Sequence, residues 1–184
     1  SKVQRKVEAS SSDRYNLFNT QMIVLSYHKF VDQESDYRFS RTYEQFDHDI
    51  RKKQYDLITI DDAMDCMPRA CEMLTKHGVR AKLFVPVELV GTVGYCTWEQ
   101  LKELSKYHDI ENHGSNHKNH TLLTKPEIES SIGYAQFTIK EKVGIAPKYF
   151  VSPYNQYNHD VEKIAARYNL TCLKDRINIL NISK

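Results

Sequence analysis

The segment DLITIDD, residues 56–62, joins a short apolar run directly to a pair of aspartates. Isoleucine and threonine favour extended backbone, so the sequence predicts a strand over residues 56–60. Asp61 and Asp62 then fall at the carboxyl end of that strand. On its own the pair predicts no chemistry, because aspartates in this position also cap helices.

Strands and helices alternate on both sides of this segment. Further strands are predicted at residues 22–27, 81–87, 109–112, 148–151 and 169–174, with one more in the tail INILNI, residues 177–182. Capping boxes and apolar periodicity predict helices at 42–53, 68–78, 97–107, 124–143 and 158–168. This alternation indicates an α/β domain with a parallel sheet, either closed into a small irregular barrel or wound as an open sheet.

Size and composition are those of one ordinary globular domain. The chain has 184 residues and a formal net charge of +2. Its basic residues are scattered rather than clustered, which predicts no nucleic-acid partner. No apolar run reaches the ~20 residues of a membrane span. The four cysteines form no C-x-x-C pair and are expected to be reduced thiols.

Residues 1–20 are expected to form a flexible leader, and residues 21–184 the folded domain. The leader lacks the apolar core of a secretory signal. This favours a cytoplasmic location, or an extracytoplasmic one if the N-terminus has been trimmed.

Polar side chains follow four of the predicted strands at the point where each strand ends. His28 follows the first strand, Asp61 and Asp62 the second, His113 the fourth and Tyr154 the fifth. The carboxyl ends of parallel strands meet at one face of such a domain. We therefore expect these residues to lie close together.

A second histidine, His117, follows His113 at a spacing of four residues. Two imidazoles and one carboxylate around an open position are the ligand set of a catalytic zinc or a related divalent ion. The aspartate that is not a ligand would be free to accept a proton from water. Read alone, the histidine pair is also compatible with a solvated loop.

Two motifs in this order resemble those of the carbohydrate esterase family 4 polysaccharide deacetylases. LITIDDAMD, residues 57–65, resembles their T-F-D-D-G motif, and HGSNH, residues 113–117, resembles their H-[ST]-x-x-H metal motif. HGVRAKLFVP and TWEQLKELSKYHDIENH are similar to the flanking segments. The resemblance extends from Met22 to Tyr154, and it implies a small, irregular, partly incomplete (β/α) barrel of about six to seven parallel strands.

Carried over residue by residue, the resemblance implies Asp61 as general base and Asp62, His113 and His117 as metal ligands. VSPY resembles the family's R-x-P-Y motif, which implies the backbone N–H of Tyr154 as an oxyanion donor. The implied cofactor is a divalent metal, zinc first, with Co, Ni, Mn or Fe as alternatives. The implied partner is a carbohydrate, whose N-acetyl groups would be hydrolysed in a polysaccharide or a glycan precursor.

The chain departs from the family pattern at three points. Ala63 stands in place of the expected glycine, Val151 in place of the expected arginine, and no L-x-H motif follows VSPY. That missing motif supplies the family's general acid. However, IVLSYHKF is similar to the leading strand of the biofilm poly-N-acetylglucosamine deacetylases, and this similarity implies His28 as the general acid.

Three alternatives stay open on the sequence. The first is a catalytically degenerate barrel that binds carbohydrate without turnover. The second is a non-haem iron site of two histidines and one carboxylate, and the third is a structural domain with a solvated histidine loop. An anomalous-scattering signal between Asp62, His113 and His117 would indicate a bound metal and would exclude the structural domain with a solvated histidine loop.

The other prominent aromatic and histidine side chains are interpreted as mainly structural. His108 is expected to cap a helix end, His120 to border the cleft, and Trp98 to pack in or near the core. Tyr154 and Tyr157 are the aromatic candidates for lining a sugar groove.

Overall fold

The computed structural model describes residues 22–174 and 177–178. Its strands are β1 (Val24–Tyr27), β2 (Lys29–Val31), β3 (Ser40–Thr42), β4 (Leu57–Ile60), β5 (Lys82–Val85), β6 (Asp109–Asn112), β7 (Tyr149–Phe150), β8 (Thr171–Cys172) and β9 (Ile177–Asn178). Its α-helices are α1 (Tyr43–Lys52), α2 (Met67–Lys76), α3 (Trp98–Leu104), α4 (Lys125–Val143) and α5 (His159–Arg167). The predicted leader and the end of the INILNI tail lie outside the described residues.

Seven of these strands form one parallel sheet, in the order β8-β7-β6-β5-β4-β1-β9. A helix follows each of β4, β5, β6 and β7 and carries the chain to the next strand, as parallel pairing requires. Within the described residues β8 and β9 are the two edges of the sheet and do not pair with each other. The curled sheet is therefore an incomplete (β/α) barrel, which confirms the predicted fold and strand number.

The central strands are buried on the face that the helices cover, where alternate residues of each strand pack in the main core. Ile58 and Ile60 of β4, like Leu83 and Val85 of β5, have no exposed side-chain surface. Burying each such side chain contributes about 1.5–3 kcal/mol to folding. Strands packed in this way end at well-defined positions, so the residues that follow them are held in place.

The helix starts agree with the capping signals in the sequence. Thr42 begins α1, and its hydroxyl accepts a hydrogen bond of 3.1 Å from the backbone N–H of Gln45. The same box recurs with Thr97 before α3 and with Thr124 before α4. These starts were predictable because the cap and its partner lie three residues apart.

A second, two-stranded parallel sheet was not predicted. In it Lys29 of β2 pairs with Ser40 of β3, and residues 32–39 connect the two strands. Each strand has only three residues, which is too short to show a strand period in the sequence. We call residues 32–39 the strap.

A membrane span is not found among the helices of the described residues, since none of them combines the necessary length and apolar character.

Candidate active site

A cavity of about 260 Å³ opens at the carboxyl ends of β1, β4 and β6. Its wall contains all six residues to which the sequence analysis assigned a catalytic or metal-binding role. The lining residues are Ser26, His28, Tyr37, Phe39, Asp61, Asp62, His113, His117, Tyr154 and Asn155. The expectation that these strand ends converge is therefore confirmed.

Asp62, His113 and His117 bring one carboxylate oxygen and two imidazole nitrogens together within 4.8 Å of one another. Oδ1 of Asp62 lies 3.3 Å from Nε2 of His113 and 2.9 Å from Nε2 of His117. Yet this buried oxygen makes no hydrogen bond of acceptable geometry. A buried oxygen without a hydrogen bond is costly unless another group binds it.

Asp62 is held as an anion. Burial opposes its ionisation, but the neighbouring imidazoles of His113 and His117 outweigh burial and keep the pKa of the carboxyl well below its ordinary value. Burial disfavours the protonated form of His117, but the Asp62 carboxylate favours it more strongly. The net effect is that the pKa of His117 is raised. An anionic carboxylate oxygen facing two ring nitrogens fits a divalent cation that prefers nitrogen and oxygen donors.

His113 is oriented by a backbone carbonyl just after β7. Its Nδ1 lies 2.7 Å from the carbonyl oxygen of Val151, to which it can donate a hydrogen bond. That bond leaves Nε2 as an acceptor facing Asp62, which is the tautomer a metal ligand needs. The histidine is 2% exposed, so the solvated-loop alternative is wrong for this residue.

The turn after β4 adopts a left-handed backbone without the expected glycine. Asp62 has a φ of 72° and Ala63 a φ of 54°. A residue other than glycine with such a positive φ carries backbone strain of about 1–3 kcal/mol, which persists only when the surrounding structure enforces the conformation. Ala63 is fully buried in the main core, so packing holds the turn. Ala63 therefore adopts a left-handed conformation at the position where the family pattern has glycine.

Asp61 lies beside His28 at the base of the cavity. Nε2 of His28 is 3.7 Å from Oδ2 of Asp61, and the side chains are 21% and 1% exposed. The backbone N–H of Asp61 donates to the carbonyl oxygen of Tyr27 at 2.9 Å. The arginine expected in the family is absent, and Val151 instead packs in a small apolar cluster with Val24. His28 is thus a basic side chain that flanks Asp61.

Tyr154 lies at the rim of the cavity, next to the second histidine of the pair. It is 64% exposed, and its ring centroid is 5.0 Å from that of His117. Its φ of 62° is left-handed, as is the φ of 54° at Asn155. Tyr157, the other candidate for a sugar groove, is a structural residue: its hydroxyl accepts from the N–H of Ser152 and donates to the carbonyl oxygen of Leu173.

The expectation for His120 needs correction, whereas His108 does cap a helix end: its backbone N–H donates to the carbonyl oxygen of Leu104, the last residue of α3, at 2.9 Å. The His108 side chain is buried against α2, where Nε2 lies 3.2 Å from the carbonyl oxygen of Cys71. His120 does not line the cavity but lies beneath the histidine loop, with Nε2 2.9 Å from the hydroxyl oxygen of Ser131. Burial and the nearby imidazoles lower the pKa of His120 to about 4. It is therefore a neutral, structural histidine at physiological pH.

Sequence reasoning missed two aromatic residues of the strap, Tyr37 and Phe39, which line the cavity. The available signal was their occurrence in the otherwise polar stretch DQESDYRFS. It was overlooked because β2 and β3 were not predicted.

Gly114, inside the histidine loop, is the position where a side chain would disturb the site most directly. Its φ is +74°, and an added Cβ would lie 2.6 Å from Cε1 of His120. Because His120 is buried and hydrogen-bonded, it cannot move aside freely. We expect Gly114→Ala to lower the free energy of unfolding by about 1–3 kcal/mol through overpacking, in addition to backbone strain.

Urea denaturation of the metal-free protein measures this loss. Gly91→Ala is the matched control, because Gly91 also has a positive φ, of +84°, but no atom within 4 Å of the added Cβ. It should show the backbone strain alone. Equal losses for the two variants would contradict the predicted contact with His120.

Comparison with known proteins agrees with this geometry. A sequence model described as polysaccharide deacetylase matches residues 47–173. Chitin deacetylase 1 of Cryptococcus neoformans is 30% identical over 105 residues, which are 56% of this chain. The match covers only 22% of that fungal protein's length.

Two solved structures share the fold. The deacetylase PplD of Streptococcus pyogenes, in complex with acetate, aligns with a TM-score of 0.75 at 17% identity, over 85% of this chain and 92% of that one. IcaB of Ammonifex degensii aligns with a TM-score of 0.70 at 21% identity, over 85% of each chain. Since the family's sequence model covers more than half of the 184 residues and includes the strand ends that carry the Asp-Asp pair and the histidine loop, the chain belongs to the polysaccharide deacetylase family.

Proposed function

We propose that this chain is a metal-dependent hydrolase that removes N-acetyl groups from an amino sugar in a polysaccharide or a glycan precursor. The observation that carries the proposal is the meeting of Asp62, His113 and His117 around one buried oxygen that lacks a hydrogen bond, with Asp61 adjacent. Membership of the polysaccharide deacetylase family and the likeness to a chitin deacetylase support a carbohydrate substrate.

The three ligands would hold a divalent ion, with zinc preferred by two imidazoles and one carboxylate. When bound, such an ion supplies Lewis acidity to the acetyl carbonyl and to water. The reaction is the addition of water to an amide followed by loss of the amine. The side chains and backbone around the cavity carry out its proton transfers and stabilise the oxyanion.

Asp61 accepts the proton of the attacking water as the oxygen adds to the acetyl carbon. Its carboxylate is 1% exposed, which keeps solvent from competing for that position. The backbone N–H of Tyr154 donates a hydrogen bond to the oxyanion that forms. When the C–N bond breaks, the amine nitrogen takes a proton from His28, and acetate leaves. The proton held by Asp61 then returns to His28, which lies 3.7 Å away and is 21% exposed, either directly or through solvent, and both groups regain their starting states.

Acetate release from N-acetylglucosamine oligomers tests the proposal. We expect release by the protein supplied with Zn²⁺ or Co²⁺, loss of release after chelation, and recovery when the ion is added back. Enzymatic quantification of acetate, with mass spectrometry of the sugar, measures both products. A protein that binds the ion but releases no acetate from any N-acetylated sugar would refute the hydrolase.

One observation favours a second candidate, a degenerate barrel that binds carbohydrate without turnover. Val151 replaces the arginine of the family pattern and is fully buried in an apolar cluster, so it cannot assist Asp61. The acetate measurement separates the two functions, because sugar binding without acetate release is the result expected of this candidate.

A further inference from the structure

We propose that the strap, through Tyr37 and Phe39, binds the sugar residue adjacent to the one whose acetyl group is removed. The ligand is therefore an oligomer of N-acetylated amino sugars rather than a single sugar. This inference rests on the proposed function for the identity of the sugar, and it adds a binding surface that none of the sequence motifs contains.

The exposure of the two rings is the first observation. Tyr37 is 44% exposed and Phe39 is 38% exposed, although both line the cavity. Aromatic rings turned towards a polar cleft offer a flat apolar face. A pyranose ring presents an apolar face of C–H groups with hydroxyls at its edge, so it can cover such a ring while its hydroxyls stay in water.

The strap is held in position before any ligand binds. The Phe39 ring centroid lies 5.3 Å from that of His28, and 6.1 Å from that of Tyr37. Lys29 and Arg38 lie over the rings of Tyr37 and Phe39, with 5.2 Å and 5.7 Å to the centroids. At the C-terminal end of the strap, the backbone N–H of Lys29 donates to the carbonyl oxygen of Phe39, and that of Ser40 donates to the carbonyl oxygen of Tyr37. Preorganisation of this kind reduces the entropy lost on binding.

The size of the cavity indicates where the neighbouring sugar lies. At about 260 Å³ it is smaller than the roughly 300–1,000 Å³ of typical small-molecule sites. It can enclose the reacting acetamido sugar, and further sugars must extend over the rim. Phe39 lies at the His28 side of the cavity and Tyr154 at the His117 side. An oligomer therefore crosses the metal ligands between aromatic surfaces.

Tyr37 also offers a polar contact to the sugar. Its hydroxyl belongs to a half-exposed side chain of the cavity wall and can donate a hydrogen bond to a sugar oxygen.

Calorimetric titration with defined sugars tests the inference. The protein carries Zn²⁺ and the Asp61→Asn change, so that the sugar is not consumed. The probes are the N-acetylglucosamine monomer and its β-1,4- and β-1,6-linked tetramers. We expect Phe39→Ala and Tyr37→Ala each to weaken tetramer binding by about tenfold, and monomer binding by less than about twofold. The tetramer whose affinity falls more in the strap variants has the linkage that the strap fits.

Two further variants make the result specific. Phe39→Leu keeps apolar volume next to His28 but removes the flat ring, so it should weaken tetramer binding while preserving the fold. Phe137→Ala removes an aromatic ring that is 65% exposed on α4 and does not line the cavity, and it should leave tetramer binding unchanged.

Three results would overturn the inference: unchanged tetramer binding in the strap variants, equal losses for monomer and tetramer, or a parent protein that binds neither tetramer. The proposed function fails on a different readout, since it requires acetate release by the protein with Asp61 intact. A chain that binds the tetramer through the strap but releases no acetate would keep the binding surface and lose the hydrolase.

Discussion

Replacing Asp61 by asparagine is expected to lower kcat for acetate release by about 10²–10⁴-fold, the range for loss of a general base. Asparagine has nearly the same shape, but its amide does not accept the proton of the attacking water. Asp61 does not belong to the group of Asp62, His113 and His117, whose ligand atoms lie close together. The Zn²⁺ affinity of the variant should therefore stay within a few-fold of the parent's. Steady-state kinetics and calorimetric titration with Zn²⁺ measure the two quantities.

Asp65→Asn is the matched control for charge. Asp65 lies in the same loop after β4 but is exposed and does not line the cavity. Its replacement should change neither kcat nor metal affinity. If Asp61→Asn retained the parent's kcat, the assignment of Asp61 as base would be refuted. If it instead lost Zn²⁺, Asp61 would belong to the metal site.

His117→Ala is expected to weaken Zn²⁺ affinity by more than about 100-fold. Removing a residue that only hydrogen-bonds to a metal ligand already weakens metal affinity by about 10–100-fold, and removing the ligand itself should weaken it more. Acetate release should fall with the bound metal. His117 is the least buried of the three proposed ligands, with a side chain that is 26% exposed, so the fold should tolerate the change. Calorimetric titration measures affinity, and anomalous scattering from crystals soaked in Zn²⁺ locates the ion.

His48→Ala provides the comparison for this experiment. His48 is an exposed histidine on α1 that does not line the cavity, and its loss should not alter Zn²⁺ affinity. An unchanged affinity in His117→Ala, or an ion found away from Asp62 and His113, would contradict the proposed ligand set.

Much of the fold followed from signals that are local in the chain. The helix that begins after Thr124 was predicted at its observed bounds because its capping box and its apolar positions lie within one segment. The strand before Asp61 was also predicted, because its apolar run is bounded by polar residues. From there the parallel arrangement placed the Asp-Asp pair and the histidine loop at one face.

Other properties of the site depend on contacts between residues far apart in sequence. The sequence could not show that His113 is oriented by the carbonyl of Val151, or that His28 flanks Asp61 where the family pattern has an arginine. Nor could it show that His120 is buried behind the loop, because a polar neighbourhood such as NHKNH suggests exposure.

The sequence by itself therefore determined the fold class, the helix starts and the six residues that meet at the cavity, since each of these follows from short-range patterns and from the shared direction of parallel strands. Only the tertiary structure decided that the strap brings Tyr37 and Phe39 into the cavity wall. The reason is physical: strands of three residues have too few positions to carry a pattern, so their pairing is set by packing against distant parts of the chain.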